Sequence, residues 1–159
     1  MGYALPAAMG VKLADDRRDV WCVTGDGGLL INIQEFNTLA AEGINLKVAI
    51  LNNAHLGMIR QWQEFFYDRR YSHSYMDALP DFVNLAESFG HSGIRVDAPG
   101  DVEPAVKEAF GQKDQLIFLD FITDQSENVY PMIASGAGHN EMHLNPSPSG
   151  EVPLERELA

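Results

Sequence analysis

Two short apolar runs, Val20-Trp-Cys-Val-Thr24 and Leu46-Lys-Val-Ala-Ile-Leu51, stand one helix apart and restrict this chain more than any other feature. The first reads as a buried strand, and the second is apolar enough to be covered on both faces, as in a parallel sheet. Between them Ile33, Phe36, Leu39 and Ala40 follow the i, i+3, i+4 spacing of an amphipathic helix. Asn32 with Glu35 forms a capping box at its start, and Gly43 supplies its stop. Strand, helix, strand is a βαβ unit, whose short crossover lays the two strands side by side with their carboxyl ends on one edge.

The remaining chain continues in the same manner. A helix runs through Leu13. Another from about Leu56 to Phe66 puts Ile59, Trp62 and Phe66 on one side, and a loop covers Tyr67 to Tyr75. Asp81 to Phe89 is helical with Gly90 as its stop, Ile94 to Val96 is a short strand, Asp101 to Phe110 is a helix that tolerates Pro104 in its first turn, and Leu116 to Ile122 is the last strand. The expected fold is therefore α/β, a three-layer, doubly wound, mainly parallel sheet with helices on both faces. Residues 1–144 form the expected domain; its opening, MGYALPAAMG, reads like the middle of a longer domain, so truncation at the N-terminus is expected. Residues 145–159, with Pro146, Pro148 and Pro153, are expected to form a flexible tail.

With 159 residues and 45% hydrophobic content, the chain can bury the core of one soluble domain. Its net charge of -12 repels nucleic acid and anionic membranes, and the one dense basic pair, Arg69-Arg70, is too small to reverse that. Cys22, the single cysteine, lies in an apolar run; it reads as core and suits a reducing compartment. No run approaches the roughly 18 apolar residues of a membrane span, and the N-terminus lacks a secretory pattern. A cytoplasmic or organellar location is expected. His73, His91, His139 and His143 have no metal spacing and read as surface or loop histidines, while Tyr67, Tyr71 and Tyr75 read as packing.

The first strand ends in Gly25-Asp-Gly-Gly-Leu-Leu30. Such a stretch is either a surface turn or a place where backbone approaches phosphate while a carboxylate holds the phosphate's metal. The second strand ends in Asn52-Asn53, so Asp26 and Asn53 share the sheet edge where open α/β sheets bind ligands. Asp26 offers an anionic oxygen, Asn53 an amide oxygen and the chain just beyond it a carbonyl, a set suited to octahedral Mg²⁺ completed by diphosphate and water. Gly27 and Gly28 let backbone N–H groups come close to the phosphates.

Gly28 to Leu51, 24 residues, separates GDG from NN, and that spacing is the thiamine diphosphate signature. The likeness extends through MGYALPAAMG, LGMIRQWQEFFYDRRYS, DFVNLAESFG and ENVYPMI. Over Met1 to about Glu141 the chain resembles the C-terminal, diphosphate-binding domain of the acetolactate (acetohydroxyacid) synthase large subunit. That resemblance implies thiamine diphosphate and Mg²⁺ as cofactors, with FAD only in the full-length family protein. It implies decarboxylation of pyruvate and condensation with a second 2-keto acid, in branched-chain amino acid biosynthesis.

The resemblance also implies residue roles. Asp26 and Asn53 bind Mg²⁺ through side chains and His55 through its carbonyl; Gly27 and Gly28 meet the diphosphate. Met1 matches the bulky residue wedged between the cofactor rings. Met58 stands by the cofactor and, with Trp62, Gln61 and Ser135, lines the acceptor pocket; Ser135 and Gly136 match a segment that closes over the channel. The family's general acid is a glutamate on an N-terminal domain of a partner subunit, so no catalytic residue is assignable here. The implied partners are that pyrimidine-binding domain, a second large subunit and, as a further candidate, a regulatory small subunit. The isolated chain is expected to be inactive. Two alternatives stay open, a non-catalytic cofactor-binding or interaction module and another thiamine diphosphate decarboxylase or carboligase.

Overall fold

The computed structural model of the chain describes residues 1–144; the tail expected over 145–159 lies outside the described residues. In chain order the elements are α1 (Ala4–Ala14), β1 (Trp21–Gly25), α2 (Asp26–Leu30), α3 (Glu35–Ala41), β2 (Lys47–Asn52), α4 (Gly57–Phe66), α5 (Phe82–Ser88), β3 (Ser92–Val96), α6 (Val102–Gly111) and β4 (Ile117–Ile122). They divide between two compact units, one built from residues 1–55 and 76–125 and the other, among the described residues, from 56–75 and 126–144.

The first unit is a four-stranded sheet in the order β1-β2-β4-β3, with every neighbouring pair parallel. The βαβ unit is present, with Gly25 opposite Leu51. Alternation along the strands builds two cores. Cys22, Val48, Ile50 and Phe118 meet Leu5, Ala8 and Met9 of α1, Phe36 and Leu39 of α3, and Phe82 and Ala86 of α5. Ile117, Leu119 and Val96 instead meet Ala105 and Ala109 of α6. Helices on both faces of a parallel sheet make the expected three-layer α/β fold. Cys22 is buried, and its thiol is pushed up to about 11 by desolvation, so it is core and unreactive at neutral pH.

Local chemistry departs from the sequence pattern at several points. Asn32 does not cap α3, which begins at Glu35 with no side-chain cap bond. Its amide donates to the Gly2 carbonyl instead. Gly2 has φ +76°, and a Cβ there would come within 2.7 Å of Asn32 Nδ2 and Ile31 Cγ2, so this approach needs glycine. Lys47 is buried at the start of β2, where its Nζ donates to the carbonyls of Gln112 and Gln115 at 2.5 Å each. His91, expected at the surface or in a loop, lies in the connection before β3, where its ring packs 5.8 Å from that of Phe118 and its Nε2 is 3.1 Å from the Phe36 carbonyl.

Asp81 caps α5 by accepting from Val83 and Asn84 N–H at 3.0 Å each, and it pairs with Arg95 at 3.2 Å. The Asn84 N–H, with Arg95 and the Val83 N–H, holds its carboxyl below the ordinary range. A depressed folded pKa contributes stability that is present above the unfolded value of about 3.9 and is lost as pH falls through the folded one. Asp81→Asn, which keeps a capping oxygen, is therefore expected to flatten the acid-side loss of stability below about pH 4. Urea midpoints measured across that range check it; an unchanged slope contradicts it.

In the second unit α4 turns Gln61 and Phe65 inward, not Ile59, which is exposed, or Trp62 and Phe66, which are half-buried. The polar Gln61 can be buried because Val129 satisfies both ends of its amide: Nε2 donates to the Val129 carbonyl at 3.0 Å and Oε1 accepts the Val129 N–H at 2.7 Å. Tyr67, Tyr71 and Tyr75 are about half-exposed, and the Arg60 guanidinium packs 5.2 Å from the centre of the Tyr71 ring.

Candidate functional site

The register of β1 against β2 sets the geometry. Because Gly25 lies opposite Leu51, the residues that follow, Asp26 and Asn52-Asn53, leave the sheet together at its carboxyl edge. GDGGLL is not a loop: Gly25 is extended and Asp26 opens the first turn of α2. That turn draws Asp26 inward until only 2% of its surface is exposed.

Oδ1 of Asp26 accepts the Gly27 N–H at 2.6 Å, whereas Oδ2 is buried without a hydrogen-bond partner. Desolvation pushes the carboxyl pKa up, against the N–H groups of Gly27, Ala54 and Asn53 and the charge of His55. The carboxylate is therefore held beside the loop that follows β2. Native proteins seldom leave a buried carboxylate oxygen unpaired, and doing so costs free energy unless something else binds it.

The facing loop is tightly ordered. Ala54 has a left-handed backbone at φ 54°. Asn53 Oδ1 accepts the His55 N–H at 3.1 Å, and His55 Nδ1 lies 3.0 Å from the Asn53 carbonyl oxygen. An amide oxygen has two lone pairs, so Asn53 keeps acceptor capacity. The donor set offered here is one carboxylate, one amide oxygen and a backbone carbonyl, hard oxygens that suit a hard divalent cation. Among the described residues no group of three or more His, Cys, Asp or Glu forms a metal cluster. At Gly28 a Cβ would sit 3.0 Å from Thr24 Oγ1, so even a methyl group there crowds the first strand.

The other expected site residues are placed differently. Met1 belongs to the first unit and is 77% exposed. Met58, Gln61, Trp62 and Ser135 belong to the second unit. Met58 is exposed on the first turn of α4, Trp62 packs its ring 5.1 Å from Phe66, and Ser135 is exposed. Gln61 is only 1% exposed, and its amide bonds the Val129 backbone and the Met132 sulfur, so it holds the 126–133 segment. One side chain the sequence reading passed over is Asp120 of β4. It is as deeply buried as Gln61 and bonded to Asn52, next to the candidate ligand Asn53. A lone acid in an otherwise apolar strand run, LIFLDFI, was the available signal.

Fold and rim together define an α/β domain of the doubly wound, ligand-binding class. Residues 1–121 match the family described as thiamine pyrophosphate enzyme, C-terminal TPP binding domain, and the chain belongs to that family. It is 49% identical over 145 residues to the acetolactate synthase large subunit of Haemophilus influenzae, covering 91% of this chain and 25% of that protein. With the acetolactate synthase isozyme 3 large subunit of Escherichia coli it shares 48% over 147 residues, covering 91% and 26%. Among solved structures, the thiamine diphosphate-dependent 4-hydroxybenzoylformate decarboxylase of Rhodococcus jostii aligns with TM-score 0.69 and 30% identity over 79% of this chain and 24% of that one. The chain thus spans about a quarter of the length of the curated relatives it matches.

Proposed function

We propose that this chain is the cofactor-binding C-terminal part of an acetolactate synthase large subunit, which holds thiamine diphosphate through Mg²⁺. The observation that carries the reading is the buried, unpartnered Oδ2 of Asp26 beside the Asn53–His55 loop. In this reading Asp26, the Asn53 side chain and the His55 carbonyl hold the metal, and the Gly27 and Gly28 backbone receives the diphosphate. When bound, the cofactor supplies carbanion stabilisation for decarboxylating a 2-keto acid. This chain's own residues bind and orient it, and a carboxylate kept dry at the rim strengthens the attraction for a cation.

The proposal extends to the whole protein. Its substrates are pyruvate and a second 2-keto acid, in branched-chain amino acid biosynthesis, in a cytoplasmic setting. Met1 wedges the cofactor rings, and Met58, Trp62 and Ser135 form the acceptor wall, held in place by Gln61 through Val129. The catalytic acid comes from a pyrimidine-binding domain of a partner subunit, with FAD and a regulatory small subunit belonging to the full assembly. Higher identity to the acetolactate synthases than to the decarboxylase favours the carboligase over the decarboxylase reading. Calorimetric titration of thiamine diphosphate into the chain, in Mg²⁺ and again in excess chelator, tests the site. Binding seen only with Mg²⁺ supports it; equal affinity in both media overturns it.

A further inference from the structure

A polar rung crosses the carboxyl end of the sheet, on the face that also carries Phe118. Asp120, only 1% exposed, sits in register with Ile50 of β2 and Arg95 of β3. Its Oδ1 accepts from Asn52 Nδ2 at 2.9 Å, and its Oδ2 accepts from Arg95 Nη2 at 3.3 Å. Arg95 also pairs with Asp81 at 3.2 Å, so the buried charge is tied to the surface through a guanidinium. A buried carboxylate with both oxygens bonded is rigid, and breaking such a set from one side leaves polar groups stranded.

The rung continues into the candidate site. Asn52 Oδ1, on the same amide that Asp120 fixes, accepts the Ala54 N–H at 3.3 Å. Ala54 holds φ 54°, a left-handed conformation that alanine adopts only when its surroundings impose it. From the other side the Ala54 carbonyl accepts the Met76 N–H at 2.9 Å. The Asn53 side chain and the His55 carbonyl therefore ride on a strained turn clamped between Asn52 and Met76. Without Asp120 the Asn52 amide is free to rotate, and nothing then fixes its oxygen toward Ala54.

We propose that Asp120 is a positioning residue for the metal-binding loop, acting through Asn52 to hold Ala54 left-handed and so to aim Asn53 and the His55 carbonyl. This rests on the reading of that loop as the Mg²⁺ site. The role needs the acceptor oxygen that faces Asn52. Asp120→Asn, which keeps an oxygen for Asn52, is the conservative variant. Asp120→Ala and Asn52→Leu both cut the relay, and the second, at a partly exposed strand end, is the safer for folding.

The test uses the whole chain with two readouts. Without ligand, the exchange rate of the Met76 amide reports the Ala54 turn from the side Asp120 does not touch. With Mg²⁺ and thiamine diphosphate, calorimetry reports affinity. Expected results are about tenfold faster exchange and about tenfold weaker Mg²⁺-dependent binding in Asp120→Ala and in Asn52→Leu, with little further loss in the double variant. Asp120→Asn stays within about twofold of the parent, and Leu39→Ala, a core lesion in the same unit, lowers stability without moving Met76 exchange. Parental exchange at Met76 in Asn52→Leu, or equal losses in Leu39→Ala and Asp120→Ala, overturns the proposal. Should the parent itself bind without regard to Mg²⁺, the site reading fails, and the exchange data still decide whether Asp120 positions the turn.

Discussion

Asp26→Asn is expected to abolish the Mg²⁺-dependent part of thiamine diphosphate binding and, at the same time, to make the ligand-free chain more stable at neutral pH. The two signs follow from one feature. In the ligand-free chain the carboxylate is buried with Oδ2 unpartnered, and desolvation raises its pKa. A folded pKa above the unfolded value means that the folded state holds the proton more tightly. Stability is therefore full at low pH, begins to fall as pH rises through the unfolded value of about 3.9, and reaches its floor above the folded pKa. Removing the ionisable group removes that fall, a gain on the order of 1 kcal/mol at neutral pH, or a few degrees in Tm. With Mg²⁺ the balance inverts, because the charge is what the cation takes; loss of the anionic ligand is expected to weaken metal-dependent binding by at least about a hundredfold. Thermal melts of parent and variant, with and without Mg²⁺ and thiamine diphosphate, check both signs together. If the variant melts lower than the parent without ligand and still gains from Mg²⁺, Asp26 is an ordinary structural acid.

How far the sequence carried this description differs from residue to residue. Strands and crossovers were legible because Val20–Thr24, Leu46–Leu51 and Leu116–Ile122 are dense apolar runs, and the observed β1, β2 and β4 lie within a residue of them. That the chain at Asp26 and at Asn53 leaves the sheet on one edge was legible because a crossover between neighbouring parallel strands leaves little choice about which ends meet. What failed were features in which a long-range polar bond overrides local periodicity. The inward face of α4 was misread because Gln61 counts as polar in any pattern, and distant partners, the Val129 backbone 68 residues away and the Met132 sulfur, make it a core residue. Asn32 looked like a cap until Gly2 offered a carbonyl 30 residues upstream. Asp120 carried no local sign that Asn52 and Arg95 would satisfy it. Burial of a polar residue is set by partners that spacing does not reveal.

Phe36→Ala is expected to produce the largest loss of stability in the chain. Phe36 is buried on α3, the crossover that carries the chain from the Asp26 turn to β2. Its ring lies 4.5 Å from that of Phe118 in the sheet and 5.5 Å, edge-on, from that of Phe89, and its carbonyl lies 3.1 Å from His91 Nε2. Truncation leaves a cavity walled by sheet and helices that cannot close without moving a strand, so the expected cost is at the usual phenylalanine level of about 3–5 kcal/mol. Against a total of about 5–15 kcal/mol for a domain, that is a third or more of its stability. Phe110 provides the comparison: it too stacks on an aromatic neighbour, 5.1 Å from Trp21, but it is half-exposed, and its removal is expected to cost about 1 kcal/mol. Urea unfolding of the two variants separates them, with a fall in midpoint and an unchanged slope for Phe36→Ala. The folded fraction of that variant should keep its response to Mg²⁺, because the lesion lies among the apolar side chains between α3 and the sheet and leaves Asp26, Asn53 and the rung at Asp120 in place. Equal losses in the two variants would mean that the α3 face is not the core of this fold; a lost Mg²⁺ response in folded Phe36→Ala would mean that the crossover positions the site through its packing as well as through its length.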